Sequence, residues 1–482
     1  MSPPGGELDR LAAACLFPGF AGIEPPTWLR AWLGAGLGGV VLFARNVAGP
    51  EQLAALTRSL RAERADVLVA IDEEGGDVTR LEAEQGSSYP GNYALGAIDD
   101  VALTERVARA MGGDLAAVGI DLDLAPVADV NSNPDNPIIG VRSFGSDPAL
   151  VARHVEAYVT GMQSVGIAAC VKHFPGHGDT ALDSHLDLPV LEAGLETLAA
   201  RELPPFRAAV EAGVRAVMTA HIVVRALDDE PATLSAPTLR VLRGDLRFQG
   251  VVITDALEMG AVSRNATMGE IAVRALGAGA DALCLGADID AGMVERVHTA
   301  IVDAVRAGRL DEQRLAEAVH RVAELSRSSP APDAPPGDVR VGIEAARRAV
   351  RAEGDVTAPG PVLVVELRPP PSIAAGEAGR GLGAALRARA RDAVVVRLES
   401  PPEDAKAVLA AHRSRRLVLV LRDAHRHAWQ RSTAEALLAD TRDGIVVETG
   451  IAGWRPGGAS GYVVTRGAGR VNLEAAAELL SS

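Results

Sequence analysis

Short apolar runs alternate with amphipathic stretches from the start of the chain to about residue 325, and this alternation constrains the fold more than any other feature. Each run is apolar on both faces, which is typical of strands in a parallel sheet covered by helices on both sides. The eight runs are Ala14–Phe17, Gly39–Phe43, Val67–Ile71, Ile120–Pro126, Ile167–Val171, Ala216–Thr219, Val251–Thr254 and Asp281–Leu285. Eight strand–helix units in about 300 residues predict an α/β fold of the TIM type, a (β/α)8 barrel.

The rest of the chain is organised differently. Residues Ser326–Asp338 are rich in Pro and Ser and show no apolar period, which predicts a linker. A helix is expected at about Ile343–Ala352, and it is followed by five apolar runs, Val362–Leu367, Val394–Leu398, Leu417–Leu421, Ile445–Glu448 and Tyr462–Thr465. We therefore predict a barrel over residues 1–325, a linker over 326–340 and a smaller C-terminal α/β sheet domain over 341–482.

Composition argues against several classes of protein. The net charge is −15, and an acidic surface is unsuited to nucleic acid, whose phosphates require Lys and Arg patches. No apolar run reaches the roughly 18–20 residues of a membrane span, and the N-terminal residues lack the basic and apolar pattern of a leader. We therefore expect a cytoplasmic protein. Cys15, Cys170 and Cys284 lack metal-ligand spacing, so they are expected to be core residues.

Polar side chains follow five of the eight runs, at the point where each predicted strand ends. They are Asp72, Asp129, Lys172, His173, His221 and Asp255. In (β/α)8 barrels the active site lies at the carboxyl ends of the strands and in the loops that follow them. The sequence therefore predicts one site, built from several strands, at this face of the barrel.

The richest segment is Lys-His-Phe-Pro-Gly-His-Gly-Asp-Thr-Ala-Leu-Asp-Ser-His, from Lys172 to His185. Its three histidines and two aspartates could hold a metal ion. Neither Cys nor Glu joins them, and Pro175 and Gly176 make a helix between His173 and His177 improbable. Catalysis by the histidines and aspartates is the alternative that the segment leaves open.

Three other motifs carry candidate residues. Asp255 directly follows Val-Val-Ile-Thr, where it could be a catalytic carboxylate or a helix N-cap. Asp72 opens Asp-Glu-Glu-Gly-Gly-Asp, in which the two glycines allow the backbone to approach a ligand closely. Arg142 lies in Ile-Ile-Gly-Val-Arg-Ser-Phe-Gly, where it could bind a ligand or serve as a structural ion-pair partner.

Taken together and in this order, the four motifs resemble glycoside hydrolase family 3, specifically its bacterial β-N-acetylglucosaminidase (β-hexosaminidase) branch of cell-wall recycling. The resemblance spans roughly residues 10–325. Two positions depart from the pattern: Glu73 replaces a usual Gln, and Asp77 replaces a usual Arg.

The resemblance implies a retaining, exo-acting enzyme that removes terminal β-linked N-acetylglucosamine from small glycosides such as muropeptide fragments. It assigns Asp255 as the nucleophile and His185, oriented by Asp183, as the acid/base. Asp72, Arg142, Lys172 and His173 would bind the sugar, while Asp129 and His221 would support the site. It also implies that no metal or other cofactor is needed, and that the partner is a small-molecule sugar substrate rather than nucleic acid or a membrane.

Three alternatives stay open at the level of the sequence. A phosphorylase of the same family would use phosphate in place of water. A β-glucosidase of the family would take its acid from the C-terminal domain and lack the Asp-Ser-His segment. A sugar-binding protein without catalysis would be expected to lack the nucleophile or the dyad. The leaving group and the oligomeric state are not encoded in any motif of the chain.

Overall fold

This computed structural model describes residues 5–184, 187–264, 266–327, 336–370, 379–441 and 443–482. The chain forms two compact units. The first contains Met1–Glu73, Thr104–Asn136 and Ser146–Asp338, and the second contains Glu74–Leu103, Pro137–Gly145 and Val339–Ser482. Two segments of the predicted barrel region therefore belong to the second unit. The predicted boundaries at 325 and 340, read as limits of independently folding domains, stay a prediction.

The first unit is built on eight short parallel strands. They are β1 (Leu16–Pro18), β2 (Gly39–Leu42), β3 (Leu68–Ile71), β4 (Leu122–Asp123), β5 (Ala168–Phe174), β6 (Ala216–Thr219), β7 (Val251–Thr254) and β8 (Leu283–Gly286). Strands β2 to β7 pair in chain order, β1 pairs with β8, and a bridge between Ile253 and Ala282 joins β7 to the start of β8. All eight predicted runs overlap these strands.

Helices flank the strands of the first unit. They are Glu7–Ala14, Thr27–Gly34, Pro50–Glu63, Val101–Ala117, Pro148–Gln163, Leu203–Glu211, Ala236–Arg240, Gly260–Ser263, Met268–Ala278, Ala291–Arg306 and Glu312–Arg327. The helix Pro148–Gln163 begins as its sequence predicts, because the Asp147 side chain accepts hydrogen bonds from the N–H groups of Ala149 and Leu150.

One apolar cluster fills the space inside the curled sheet. Every one of the eight strands contributes to it, through alternate residues such as Leu122 and Leu124 or Ala168 and Cys170. Because side chains alternate between the two faces of a strand, a single cluster that draws on all eight strands requires the sheet to close. The predicted (β/α)8 barrel is confirmed. Cys15, Cys170 and Cys284 are buried and free, as expected of core residues.

The second unit contains a six-stranded sheet. Its strands are β9 (Arg351–Gly354), β10 (Val362–Leu367), β11 (Ala393–Leu398), β12 (Arg416–Leu421), β13 (Ile445–Glu448) and β14 (Gly461–Val464), in the order β9-β14-β13-β12-β10-β11. All neighbours are parallel except β9 and β14. Strand β9 was not predicted, because all four of its residues are exposed and none is a large apolar residue.

Helices cover both faces of this sheet. The helices of the second unit are Asn92–Ile98, Arg340–Ala349, Gly381–Ala388, Ala405–Ala410, Ala428–Ala439 and Arg470–Ser481. Alternate residues of β10 enter two separate apolar clusters, one with Leu382 and Ala476 and the other with Leu437. The predicted smaller α/β sheet domain is therefore present, as three layers. Among the described residues, no helix is both long and apolar enough to cross a membrane.

Polar contacts join the first inserted segment, Glu74–Leu103, to the C-terminal part of the second unit. Arg470 pairs with Glu82 at 2.9 Å, and Arg348 pairs with Asp100 at 2.8 Å. Gly96 packs so closely on the other inserted segment that an added Cβ would lie 1.8 Å from the carbonyl oxygen of Phe144. Glycine is therefore required at this point of contact.

A buried carboxylate organises the amino-terminal side of the barrel strands. Asp281 has no exposed surface and accepts a hydrogen bond from the N–H of Val252 at 2.9 Å. Arg243 and Arg314 also contact this carboxylate, and Arg321 lies 3.0 Å from it. One carboxylate therefore contacts three guanidinium groups, one from the helical segment Val241–Asp245 and two from the helix Glu312–Arg327.

We expect Asp281→Ala to lower the free energy of unfolding by about 3–5 kcal/mol, because it removes a fully buried carboxylate and leaves three partly buried guanidinium groups without their shared counter-ion. Urea unfolding followed by circular dichroism measures the change. The control is Asp303→Ala, which removes an exposed carboxylate 3.9 Å from Arg306 and should shift the value by less than about 0.5 kcal/mol. A loss below about 1 kcal/mol for Asp281→Ala would contradict this account.

Candidate active site

The carboxyl ends of the barrel strands hold most of the predicted site residues. Lys172 lies in β5 and is buried, and its ammonium group contacts the carboxylate of Asp72, which directly follows β3. The Asp72 side chain is 20% exposed. This ion pair places a donor and an acceptor together at the end of the barrel, with the acceptor still open to solvent on one side.

Asp129 connects the end of β5 to the loop that follows it. Its carboxylate accepts the N–H of His173 at 3.2 Å and the N–H of His177 at 2.7 Å, and it lies 2.7 Å from Nδ1 of His173. Burial is the largest single influence and would raise the pKa of Asp129, but the contacts with His173 and His177 together outweigh it and hold the pKa of this carboxyl below its usual value. Asp129 is therefore ionised and fixes the ring of His173.

His177 is fully enclosed by the loop to which it belongs. Its Nδ1 lies 2.6 Å from the Thr180 hydroxyl, and its Nε2 lies 3.0 Å from the Ser184 hydroxyl. Burial lowers the pKa of His177 to about 4, so its ring is neutral near pH 7. The ring therefore links Thr180 to Ser184 within the loop, and Ser184 directly precedes His185 in the sequence.

The backbone of the same loop is fixed from outside. Asn136 donates to the carbonyl oxygen of His177 at 2.8 Å. Gly178 lies against Val130, in the segment that follows β4, where an added Cβ would be 1.8 Å from the carbonyl oxygen of Val130. The loop is therefore held up to Ser184. The predicted acid/base, His185, lies outside the described residues, whereas its predicted orienting partner, Asp183, lies within them.

Asp255 directly follows β7, as its sequence predicts. Its backbone N–H donates to the carbonyl oxygen of Thr219 at 3.3 Å, and its Oδ1 accepts the N–H of Ala256 at 2.8 Å. Nε2 of His221 lies 3.0 Å from the carbonyl oxygen of Ala256 and therefore carries a proton, since a carbonyl only accepts. Nδ1 of His221 lies 2.7 Å from the Thr233 hydroxyl. His221 thus supports the turn that presents Asp255.

Arg142 belongs to the second unit. It is buried and forms a two-pronged ion pair with Glu74, with Nε at 2.9 Å and Nη2 at 2.7 Å from the two carboxylate oxygens. Arg142 is therefore part of a structural ion pair, which is one of the two roles that the sequence allowed for it. It also holds the guanidinium plane in one orientation, which a ligand-binding arginine requires.

Two buried carboxyl groups near these residues were missed in the sequence. Glu202 is fully buried, and burial raises its pKa to about 7 although Arg201, 2.5 Å away, acts in the opposite direction. Asp123 in β4 is also fully buried, and burial raises its pKa well above the usual value. Alternation along β4 could have indicated Asp123. No local pattern distinguishes Glu202 from an ordinary helix-flanking glutamate.

The described residues contain no group of three or more His, Cys, Asp and Glu side chains arranged to hold a metal ion. Each of the two histidines nearest the strand end already has hydrogen-bond partners, through the contacts given above. The predicted independence from metal stays a prediction, because His185 is outside the described residues.

Several proteins of known class are similar to this chain in sequence. The sequence model of the glycosyl hydrolase family 3 N terminal domain matches residues 29–325. A β-hexosaminidase A from Pseudoalteromonas piscicida is 34% identical over 322 residues, 61% of this chain and 54% of that relative. A β-hexosaminidase from Stenotrophomonas maltophilia (strain K279a) is 41% identical over 255 residues, 51% of this chain and 75% of that relative.

Solved structures extend the likeness to both units. A family 3 β-N-acetylglucosaminidase from Paenibacillus sp. str. FPU-7 superposes with a TM-score of 0.89 at 33% identity, covering 99% of this chain and 97% of that one. The chain therefore belongs to glycosyl hydrolase family 3. The predicted family and class, a glycoside hydrolase, are confirmed.

The enclosed His177 gives stability a pH dependence with a definite sign. Its pKa rises from about 4 in the folded state to about 6.5 on unfolding, so the unfolded chain binds more protons as pH falls below 6.5. Stability should therefore fall with pH. His177→Gln removes this contribution, and we expect the gap in unfolding free energy between wild type and variant to narrow by about 2 kcal/mol from pH 7 to pH 5.

Urea unfolding at several pH values tests this expectation. Phe206→Leu is a matched control, because it alters a fully buried side chain and leaves His177 in place. Its gap to wild type should stay constant with pH. A constant gap for His177→Gln as well would show that His177 does not resist protonation in the folded protein.

Proposed function

We propose that the chain is a retaining, exo-acting β-N-acetylglucosaminidase that hydrolyses terminal, non-reducing β-GlcNAc from small glycosides. The observation that carries the proposal is the placement of Asp72, Lys172 and Asp255 at the ends of β3, β5 and β7. Carboxylates at this face suit nucleophilic attack and hydroxyl recognition. The names of the similar proteins, a β-N-acetylglucosaminidase from Paenibacillus and β-hexosaminidases from two other bacteria, denote this class of activity.

In the proposed mechanism, Asp255 attacks the anomeric carbon while the bond to the leaving oxygen breaks. His185 gives its proton to that oxygen, and Asp183 holds the imidazole in the required orientation. The glycosyl–Asp255 ester is then attacked by water, which returns a proton to His185 and frees the carboxylate. Two displacements give net retention. An imidazole acid also avoids a second negative charge beside Asp255.

Sugar binding is assigned to Asp72, Arg142, Lys172 and His173, as the resemblance implies. The carboxylate accepts from sugar hydroxyls, and the two cations donate to them. The Asp72–Lys172 pair holds both side chains in place before a substrate arrives. Muropeptide fragments as substrates, a part in peptidoglycan recycling and a cytoplasmic location stay predictions that rest on the resemblance.

Release of 4-nitrophenol from its β-GlcNAc and β-glucose glycosides, with and without phosphate, tests the proposal. We expect rapid release from the β-GlcNAc glycoside and no stimulation by phosphate, because water is the proposed acceptor. Preference for the β-glucose glycoside would favour a β-glucosidase. Turnover that depends on phosphate would favour a phosphorylase, and binding without turnover would favour a sugar-binding protein.

If His185 and Asp183 act as the acid/base dyad, the effect of replacing them on the cleavage rate should depend on the leaving group. His185→Ala and Asp183→Ala should slow cleavage of a GlcNAc disaccharide far more than cleavage of the 4-nitrophenyl glycoside, because 4-nitrophenol departs with little protonation. Asp255→Ala should slow both by several orders of magnitude, since both need the nucleophile. The exposed variant Asp229→Ala should alter neither.

The test compares the cleavage rates of the four variants on the two substrates. If His185→Ala slowed both substrates equally, the acid/base role would have to pass to another group. Asp179 is the first alternative, because it lies in the same loop and is tied to Arg201 at 2.6 Å.

A further inference from the structure

Two consecutive residues outside the candidate site, Arg201 and Glu202, both contact the loop that follows β5. We call this loop, Pro175–Ser184, the dyad loop. Arg201 and Glu202 end a π-helical turn, Leu198–Glu202, that leads into the helix Leu203–Glu211. Turns of this kind are rare and occur frequently at functional sites. The turn, β5 and the dyad loop all belong to the first unit, yet the proposed mechanism gives neither residue a role.

Arg201 bridges the turn and the dyad loop. Its Nη2 donates to Oδ2 of Asp179 at 2.6 Å, and its Nε donates to Oε1 of Glu202 at 2.5 Å. The arginine side chain is largely buried, and the side chain of Glu202 is completely buried. A guanidinium group is planar, so two contacts through different N–H groups fix its orientation. Asp179 is therefore held by a rigid partner outside the loop.

Glu202 supports Arg201 from behind and contacts the dyad loop at a second point. Gly176 has a φ of +134°, and a Cβ added there would lie 2.6 Å from Oε2 of Glu202. The carboxyl group therefore occupies the space that a side chain at position 176 would need. Oε2 has no hydrogen-bond partner among the residues that the structure describes. The other oxygen, Oε1, thus makes the contact with Arg201 the main polar support of this buried group.

The turn is anchored to the barrel and not to the loop alone. Phe206, in the helix that follows the turn, packs edge-on against Phe174, the last residue of β5. The ring centroids are 5.2 Å apart, and both side chains are fully buried. Arg201 and Glu202 are therefore fixed with respect to the end of β5, from which the dyad loop begins.

A continuous series of contacts leads from Asp179 to the proposed dyad. Thr180 directly follows Asp179, and its hydroxyl lies 2.6 Å from Nδ1 of His177. Nε2 of His177 lies 3.0 Å from the hydroxyl of Ser184, and Ser184 directly follows Asp183 in the sequence. A shift of Asp179 would therefore be transmitted through two hydrogen bonds to the residue beside Asp183.

Other contacts to this part of the loop are longer. Asn133 donates to the carbonyl oxygen of Thr180 at 3.3 Å, and Asn136 lies 3.4 Å from the Thr180 hydroxyl. Both join neutral groups. The contact between Arg201 and Asp179 is shorter and joins a guanidinium to a carboxylate, so it contributes more to the position of the loop.

We propose that Arg201, braced by Glu202, is a positioning residue that acts on the acid/base dyad through Asp179. The inference rests on the proposed function, because the dyad belongs to it. Without Arg201, fewer molecules would hold the dyad loop in its productive arrangement. A step that needs the dyad slows in proportion to that fraction. Nucleophilic attack by Asp255 does not, since none of its contacts given above involves the dyad loop.

We expect Arg201→Ala to lower kcat/KM for a GlcNAc disaccharide by about 10- to 100-fold, the range for a lost charge-assisted hydrogen bond. For 4-nitrophenyl β-GlcNAc the loss should be less than about 3-fold, because 4-nitrophenol departs with little protonation. The matched control is Arg207→Ala, which removes an exposed arginine from the helix Leu203–Glu211. It should alter neither value.

The deciding measurement is a double-mutant cycle on the disaccharide. Arg201→Ala combined with Asp179→Ala should be no slower than either single variant, because the arginine acts through that carboxylate. Asp179→Asn provides a second route to the same result, since it leaves the contact between Arg201 and Glu202 intact. It should show the same selective loss on the disaccharide. Thermal melting of each variant checks that the first unit is folded.

The outcomes separate the inference from the proposed function. Equal losses on both substrates, no loss on the disaccharide, or additive losses in the cycle would overturn the inference and leave the proposed function intact. A loss for Asp179→Asn far larger than for Arg201→Ala would also overturn it, because Asp179 would then act on the substrate directly. Wild-type protein that cleaves neither glycoside would refute the proposed function, and the inference would fall with it.

Discussion

The fully buried carboxylate of Asp129 is the interaction on which the geometry of the candidate site depends. It accepts the backbone N–H groups of His173 and His177, so it fixes the chain on both sides of the Pro175–Gly176 turn. Its bond to the His173 ring also decides which ring nitrogen carries the proton. Without this carboxylate, two buried N–H groups would lose their acceptor, at a cost of roughly 1–3 kcal/mol each. A loop rich in Gly and Pro can thus hold reactive side chains in fixed positions.

Much of the fold could be predicted because burial on both faces leaves a continuous apolar run in the sequence. All eight barrel strands and five of the six strands in the second unit carry such a run. Strand β9 does not, because Arg351–Gly354 is exposed and is held only by its antiparallel pairing with β14. The assignment of Glu74–Leu103 and Pro137–Gly145 to the second unit was equally invisible, because it depends on contacts with residues far along the chain.

The site residues could be predicted where polar side chains lie at or directly after the end of an apolar run. Asp72, Lys172, His173 and Asp255 all lie where the run pattern placed them. The partners of these residues were harder to foresee. Nothing near Arg142 in the sequence indicates its pairing with Glu74, and nothing near Asp77 indicates Arg422. Asp77 stands where the resembled branch usually has an arginine, and its engagement by Arg422 gives that departure a structural reason.

The second unit is assembled from three stretches of chain, and this has a consequence for synthesis in the cell. When Glu74–Leu103 leaves the ribosome, the part of the second unit that contains its sheet begins roughly 240 residues further along the chain. At about 5–20 residues per second, the segment waits on the order of ten to fifty seconds for its partners. A nascent barrel can close in that interval while two of its loops are still unpaired. Codon usage between these segments, and chaperones that shield exposed loops, would therefore influence the yield of native enzyme more than they would for a chain whose domains follow one another.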